Sequence, residues 1–421
     1  MCDTVAGELL VCFHENDVAA QGLIEQIISG QISHVEVVEY LRERIVKAQL
    51  TPRKSKYRFC RLRVPEGQEN FKINYLQFYY KHQVIHALAS HGIDPEVLRW
   101  SNNHLQIVPN SILSIRQTGG RPSVGFSATS THDDYKRICG FKANYSTLST
   151  GTHKRIQVLD TGLDTVSSIN VVRSFNAVDD SKSTDVADDH GHGTAVAEVI
   201  GDLCPSAQFI ICKVADDTGR ASEWDTLSAL GVDAQAEIIN ISLAFGLDDI
   251  SCPNCGRESR SSRSAVFENL LHELNDDPDG PLIVAAAGNG SLSELSFPAR
   301  FDNVIAIESI NKAKELSRFT NRSTIDHAGD AHKNVFVLPG GEEDTNANPT
   351  EYIGTSTNGA QFYGTSFAAA YASGLIAEFW TQPAHSGKDR NALLSELRVN
   401  ADKSVPNYVA ATHGNGLMRF R

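Results

Sequence analysis

Three short stretches of the chain carry side chains suited to acid–base and nucleophilic chemistry. In Gly364-Thr365-Ser366-Phe367-Ala368-Ala369-Ala370 a glycine bend runs into a series of small residues that extends to Trp380. A helix is expected there, with Ser366 in its first turn beside unpaired N–H groups and the positive end of the dipole. Ile156-Gln157-Val158-Leu159-Asp160 reads as a short apolar strand that ends in a carboxylate. Asp188-Asp189-His190-Gly191-His192-Gly193 is a glycine-flanked imidazole followed by Thr-Ala-Val-Ala, a helix start. A carboxylate that orients an imidazole, and an imidazole that takes a serine proton, turn a poor nucleophile into a good one near pH 7.

Each stretch alone has an ordinary reading. Ser366 could simply begin a small-residue core helix, and Asp160 before Thr161-Gly162 could be a turn residue. His190 and His192 beside Asp188 and Asp189 could hold a metal, which needs three or four converging ligands and so a loop that folds back. A second Gly-Thr-Ser, at 354–356, continues as Thr357-Asn358-Gly359 and cannot open an apolar helix.

Taken together, in the order carboxylate, imidazole, hydroxyl, the three signatures resemble the subtilisin-like serine peptidase family. The resemblance runs from about Arg155 to the end and includes Cys204–Val214, Ser296–Ile305 and His413–Met418. It implies a serine endopeptidase working through an acyl-enzyme, with Asp160, His192 and Ser366 as the triad. Ala285-Ala286-Ala287-Gly288-Asn289 resembles the family's strand that ends in the oxyanion asparagine, so Asn289 and the Ser366 N–H are the expected oxyanion donors. Ser242, Leu243, Ala244 and Phe245, with Ala287 and Gly288, are the expected substrate-binding residues. No cofactor is implied as required; structural Ca²⁺ is frequent in the family, and no ligands for it are assigned here. Departures from the family pattern are Phe367, Ala370, Glu198 and the pair Ala244-Phe245, where the family has two glycines. Side chains at the last pair should narrow a subsite.

The elements that must position these groups follow from periodicity. Strand-like runs (156–159, 209–214, 236–242, 282–287, 304–307) alternate with helical stretches (193–201, 221–231, 265–274, 366–379). Such alternation predicts an α/β fold, a mostly parallel sheet covered by helices on both faces, with ligands beyond the carboxyl ends of the strands. Asp160, Ser242 and Asn289 all fall at such ends. Polar insertions at Leu247–Ser264 and Gly340–Gly359 are expected in loops.

Residues 1–110 read as a separate small α+β domain. Expected strands are Glu8–Phe13, Tyr57–Val64 and His104–Val108, the last ended by Pro109-Asn110. Leu23, Ile24, Ile27 and Ile28 recur at helical spacing. Ser33 and Glu36 look like a capping box opening a helix with Val37, Val38, Leu41 and Ile45 on one face. Another helix is expected from Tyr75 to Ser90. Tyr57–Val64 alternates as a half-exposed strand. The region is similar to the inhibitory propeptide domain that precedes many subtilisin-like catalytic domains, which implies a tail running through the active site by strand addition. Residues 111–150, with Gly119-Gly120 and Pro122, read as a linker in which an activation cut would fall between Ser111 and Thr131. Residues 151–421 are then the peptidase domain.

Composition sets the frame. The chain has 421 residues, 41% hydrophobic and 21% charged, with net charge −13. Residues 1–125 carry 14 basic and 12 acidic groups, so the acidity lies in the rest. No basic stripe supports nucleic-acid binding, and an acidic catalytic region favours neutral or basic substrates at long range. There is no leader-like start and no run of 18 apolar residues. The expectation is a cytoplasmic enzyme without membrane contact, acting on protein or peptide, held by its own N-terminal domain and open to a regulatory protein partner. Cys12, Cys60 and Cys212 lie in strand-like runs as reduced, small hydrophobes; Cys252 and Cys255 form a lone C-x-x-C read as an exposed loop. Two rival readings remain: a catalytically silent peptidase fold used for peptide or partner binding, and a metal-dependent hydrolase at His190/His192.

Overall fold

The computed structural model describes residues 4–90, 105–115, 126–141, 153–165, 167–233, 235–245, 264–322 and 334–419. Asp94-Pro95, Gly119-Gly120, Pro122, Cys252, Cys255 and nearly all of Leu247–Ser264 lie outside them.

In the N-terminal region Thr4–His14 (β1), Glu36–Tyr40 (β2), Tyr57–Arg63 (β3) and Leu105–Ser114 (β4) form an antiparallel sheet in the order β4-β1-β3-β2. Helices Val18–Ile28 (α1) and Glu69–Ser90 (α3) cover one face, while the short helix Leu41–Lys47 (α2) follows β2. Asp17 caps α1 through the Ala20 N–H (3.0 Å) and accepts the Tyr80 hydroxyl of α3 (2.6 Å). The period-2 pattern sorts β1 and β3 by face. Leu9, Val11, Cys60 and Leu62 pack with Leu23, Ile24, Ile27 and Leu76, whereas Leu10, Cys12 and Phe59 enter the core of the catalytic region.

Three expectations need correction here. The helix read from Ser33 is a turn followed by β2, and helix begins only at Leu41. Glu-Val-Val-Glu-Tyr is a β-branched, alternating run that pairs with β3, and that pairing outweighs the capping signal. β4 does not stop at Pro109-Asn110 but continues to Ser114, exchanging β1 for new partners in the catalytic region. β3 is not open on one side as its half-exposed reading implies: Phe59, on the face it shares with Tyr57 and Arg61, is buried because that face is covered by the catalytic region. The lead-in is also more regular than composition suggests: Ser127–Ala128 (β5) pairs with Gly354–Thr355, and Ser130–Ile138 (α4) is a helix.

The catalytic region holds Arg155–Asp160 (β6), Val171–Asn176 (β7), His192–Leu203 (α5), Gln208–Lys213 (β8), Arg220–Ser222 (β9), Glu223–Leu230 (α6), Ile238–Ile241 (β10), Ala244–Phe245 (β11), Ala265–Asp276 (α7), Leu282–Ala286 (β12), Ile305–Ile310 (β13), Val335–Pro339 (β14), Thr365–Thr381 (α8) and Arg390–Asn400 (α9). Seven strands make one parallel sheet in the order β14-β13-β12-β10-β6-β8-β7. Residues of α5, α8 and α9 pack on one face against Ile156, Val158, Phe209 and Val284. Residues of α6 and α7 pack on the other against Leu159, Ile210, Ile239 and Ile283. Both faces are buried, which is why the strands are continuous apolar runs. Gly340–Gly359 contains short paired strands rather than plain loop.

Candidate active site

The carboxyl ends of β6, β10 and β12 and the N-termini of α5 and α8 meet at one edge of the parallel sheet. Asp160 closes β6 and is almost completely buried. The chain then turns at Gly162, where φ is +121° and a Cβ would stand 2.3 Å from the Val186 carbonyl oxygen. Gly193 meets the same turn: a Cβ there would lie 2.5 Å from the Gly162 oxygen and 3.1 Å from Asp160 Cβ. The absence of two side chains therefore lets the start of α5 press against the end of β6. His192, the first residue of α5, donates from Nδ1 to Asp160 Oδ1 at 2.8 Å. The same carboxylate oxygen accepts the Thr161 N–H at 2.8 Å.

Asp188 fixes the loop before α5. Its Oδ1 accepts the N–H groups of His190 (3.1 Å) and Gly191 (2.8 Å); Oδ2 accepts the N–H (2.9 Å) and hydroxyl (2.6 Å) of Thr194. Burial pushes this carboxyl up, but those hydrogen bonds outweigh it and hold it below its ordinary range. Asp188 is thus a loop and helix anchor, a role its place in an Asp/His-rich string did not reveal.

Gly364, at φ +132°, turns the chain into α8, whose residues are all buried. Ser366 is 5% exposed, and its Oγ donates to the Ser242 carbonyl at 3.3 Å while the Ser242 Oγ donates to the Ser366 carbonyl at 3.2 Å. The ring of Phe367, the next residue, lies against the His192 ring with centroids 5.4 Å apart. Packing of α5 on α8 therefore brings the imidazole and the serine segment together. Asn289 binds the head of the same helix: its Oδ1 accepts the Thr365 N–H and hydroxyl, both at 2.8 Å. Its Nδ2 consequently faces Gly364, standing 3.0 Å from where a Cβ there would be. The loop bearing Asn289 is tied in turn by Asn321, which accepts the N–H groups of Gly290 (2.9 Å) and Leu292 (3.1 Å). Thr365 stands in the Gly-Thr-Ser signature without a role of its own assigned there, and Asn321 carries no signal in the sequence beyond its polarity.

A cleft opens beside Ser366, lined by Ser114, Ser242, Leu243, Ala244, Phe245, Ala286, Gly288, Asn289, Gly290, Ser296 and Thr365. Of the expected substrate-binding residues Ser242, Leu243, Ala244, Phe245 and Gly288 line it. Ala287 does not: it packs in the core, bonded through its backbone to Ile307 and Ser296, and Ala286 takes the lining position. Ser356 of the second Gly-Thr-Ser is spent in a turn with Asn358 and Ala360.

One lining residue, Ser114, comes from the end of β4, the strand that leads out of the N-terminal region. β4 runs antiparallel between β9 and β11, pairing Leu113 with Ala221 and Phe245, and Ser114 with Arg220 and Ala244. Its next residue, Ile115, donates its N–H to the Gly219 carbonyl at 2.9 Å.

The subtilase family model matches residues 87–416. The chain belongs to the subtilase family, and by class it is a serine endopeptidase. Similar curated proteins include the major intracellular serine protease of Bacillus subtilis (strain 168), 28% identical over 294 residues that cover 64% of this chain and 81% of that protein. The minor extracellular protease Epr of the same organism is 27% identical over 54% of this chain and 32% of its own length. The thermophilic serine proteinase of Bacillus sp. (strain AK1) is 27% identical over 59% of this chain and 57% of its own. The chain thus spans less than two thirds of the last two proteins. No helix among the described residues is long and apolar enough to cross a membrane.

Proposed function

We propose that the chain hydrolyses peptide bonds with Asp160, His192 and Ser366 as its triad, and that its N-terminal region keeps it latent. The observation that carries the catalytic reading is the buried Asp160–His192 hydrogen bond of 2.8 Å at the edge where α8 presents Ser366. His192 takes the Ser366 proton as Oγ bonds to the substrate carbonyl carbon. The C–N bond then breaks, the same proton passes to the leaving amine, and water releases the acyl group by the reverse relay. Asp160 holds the imidazole tautomer and stabilises its charged form. The Ser366 N–H and Asn289 Nδ2 receive the oxyanion. No cofactor is needed for these steps.

Latency rests on β4. A strand paired on both sides by β9 and β11, with Ser114 in the cleft wall, occupies the place an extended substrate would take. In this reading residues 1–110 are the inhibitory domain, 111–150 the lead-in and 151–421 the peptidase domain. The activating cut falls beyond Ile115 within the 111–131 window, because β4 runs toward Ser366. The substrate is protein or peptide, and a regulatory partner acts by displacing β4. Similarity to a protease named as intracellular supports a cytoplasmic setting.

The test is a fluorophosphonate probe and intact mass on wild type and Ser366→Ala. Wild type should label, or be cut beyond Ile115, while the variant does neither. If neither protein labels or is cut, even after removal of residues 1–110, the chain is a silent peptidase fold used for binding.

A further inference from the structure

The helices that carry His192 and Ser366 lie side by side. At their heads the Phe367 ring of α8 meets the His192 ring of α5, centroids 5.4 Å apart. Further along, a Cβ on Gly374 of α8 would stand 2.7 Å from Leu203 Cβ of α5 and 3.2 Å from the Ile200 carbonyl oxygen. Close apolar contact of this kind has no preferred direction, so it resists separation far more than sliding. A third helix supplies direction. His132 of α4 is 2% exposed, and its two ring nitrogens reach the two helices. Nε2 donates to Asp202 Oδ2 of α5 at 2.8 Å, and Nδ1 accepts the hydroxyl of Tyr371 of α8. The bond from His132 is the main reason that the Asp202 carboxyl is held down to about 2, so the carboxylate only accepts and keeps the ring proton on Nε2. Burial pushes the Tyr371 hydroxyl up, so it remains a donor.

The helix that bears His132 is itself tied down. The Thr129 N–H donates to the Ile353 carbonyl at 2.9 Å, the Tyr135 hydroxyl to Glu351 at 2.7 Å, and Lys136 to Asp202 at 2.5 Å. The Phe126 ring fills the place where a Cβ on Gly354 would stand, which gives the glycine of the second Gly-Thr-Ser a purpose. From Phe126 the rings of Phe362, Phe367 and His192 follow at 5.8, 5.6 and 5.4 Å. The segment before the peptidase sheet thus backs the imidazole and joins its helix to that of the serine.

We propose that His132 is a positioning residue for catalysis: by bridging Asp202 and Tyr371 it sets the spacing at which His192 takes the proton of Ser366. The proposal rests on the peptidase reading above. Tyr371 lies five residues beyond Ser366, about 7.5 Å along the helix axis, close enough for a slide at one to be felt at the other. Substrate binds on the far side of Ser366, against Ser242 to Phe245, so the bridge acts on the chemical step and not on the cleft. A cut that frees the cleft must leave α4 in place, and therefore falls before Phe126.

The experiment uses the full chain as wild type, His132→Ala, Tyr371→Phe, Asp202→Ala and the double variant His132→Ala with Tyr371→Phe. kcat and KM are measured on dye-labelled unfolded casein, per serine that labels with fluorophosphonate. His132→Ala should lower kcat by about 10²-fold, the scale of a misplacement of about 1 Å, with KM within about twofold of wild type. Tyr371→Phe and Asp202→Ala each remove one arm and should lower kcat by about tenfold. The double variant should fall no further than His132→Ala, because both changes break one bridge. His132→Asn, whose amide oxygen can accept the Tyr371 hydroxyl, should recover part of the loss. Equal kcat per labelled serine in all variants, with only their melting temperature lowered, overturns the proposal and leaves His132 a structural residue. Should His132→Ala not fold, Asp202→Ala decides by the same split, since Asp202 lies half in solvent. A wild type that neither labels nor cuts casein overturns the peptidase reading instead, and the proposal falls with it.

Discussion

The two faces of the N-terminal sheet are packed by different means. The face toward α1 and α3 is closed by aliphatic and aromatic side chains, with Leu9, Val11 and Leu62 at its centre. The face toward the catalytic region has an apolar middle, Leu10, Cys12 and Phe59, inside a ring of directed polar contacts. Arg44 reaches Asp180 at 2.9 Å and Asp225 at 3.1 Å, the Arg53 N–H donates to the Gly231 carbonyl at 2.8 Å, and the Lys56 N–H donates to Glu273 at 2.7 Å. The Trp224 N–H donates to Asn110 at 3.1 Å, and Asn269 donates to Gln106 at 3.0 Å. An apolar core holds a unit together without regard to direction, whereas a polar rim fixes one orientation. The first face is built like the inside of a domain and the second like a recognition surface. That difference is what a domain must have if it folds as a unit and later comes away.

The sharpest way to break the comparison is in the closed face. Leu62→Ala should destabilise the N-terminal unit by roughly 2–5 kcal/mol, the range for a buried Leu truncation. Denaturant unfolding followed by β1 amide exchange should show that unit melting before the parallel sheet. Simultaneous loss of both would mean that the two faces are one core. Next comes the rim. Arg44→Ala removes the cation from Asp225, whose carboxyl is already pushed up by burial and pulled back chiefly by Arg44. Removing one partner of a buried pair costs about 3 kcal/mol, here drawn from docking. The processed protein should then separate into two pieces on a sizing column where the wild type stays together. A smaller effect is expected from Leu113→Asp, which sets a charge between Ala221 and Phe245. Fluorophosphonate labelling of the intact chain should rise by about tenfold or more, with the melting of the N-terminal unit unchanged.

The same contrast explains which parts of the molecule the sequence disclosed. The places of Asp160, His192 and Ser366 stand out in the sequence because each lies at a junction marked by glycine, which close backbone approach requires at Gly162 and Gly193 and a positive φ requires at Gly364. The parallel strands were legible because burial on both faces leaves continuous apolar runs. The N-terminal region was harder. Glu36–Tyr40 carries a capping signal and a strand pattern at once, and only pairing with β3 decides between them. The end of β4 could not be read, because Ile112–Ser114 gain their partners from residues more than a hundred positions away. Ala286 ends β12 and Ala287 follows it by one step of extended chain, and a one-residue step reverses which side faces the cleft.

The finest test concerns how the tail is held. Glu223, in the first turn of α6, is fully buried; it accepts the Ser264 hydroxyl and faces Ser111 of β4. Burial pushes its carboxyl up to about 8, and the hydrogen bonds from Ser264 and Ser111 pull the other way without cancelling it. With β4 displaced, Glu223 would meet water and return toward its ordinary 4.5. The docked state therefore keeps a proton that the open state has released. Docking gains its full contribution from this proton below 4.5 and loses it as pH rises toward about 8. The loss is at most about tenfold in the docking equilibrium for each pH unit. Hydrogen exchange of β4 amides in Ser366→Ala, corrected for intrinsic rates, should show protection falling from pH 5.5 to 8.5. Glu223→Gln keeps a neutral, hydrogen-bonding group in place at every pH and should flatten that slope. A slope that survives the substitution would move the proton to another group and leave the tail held by its strand pairing alone.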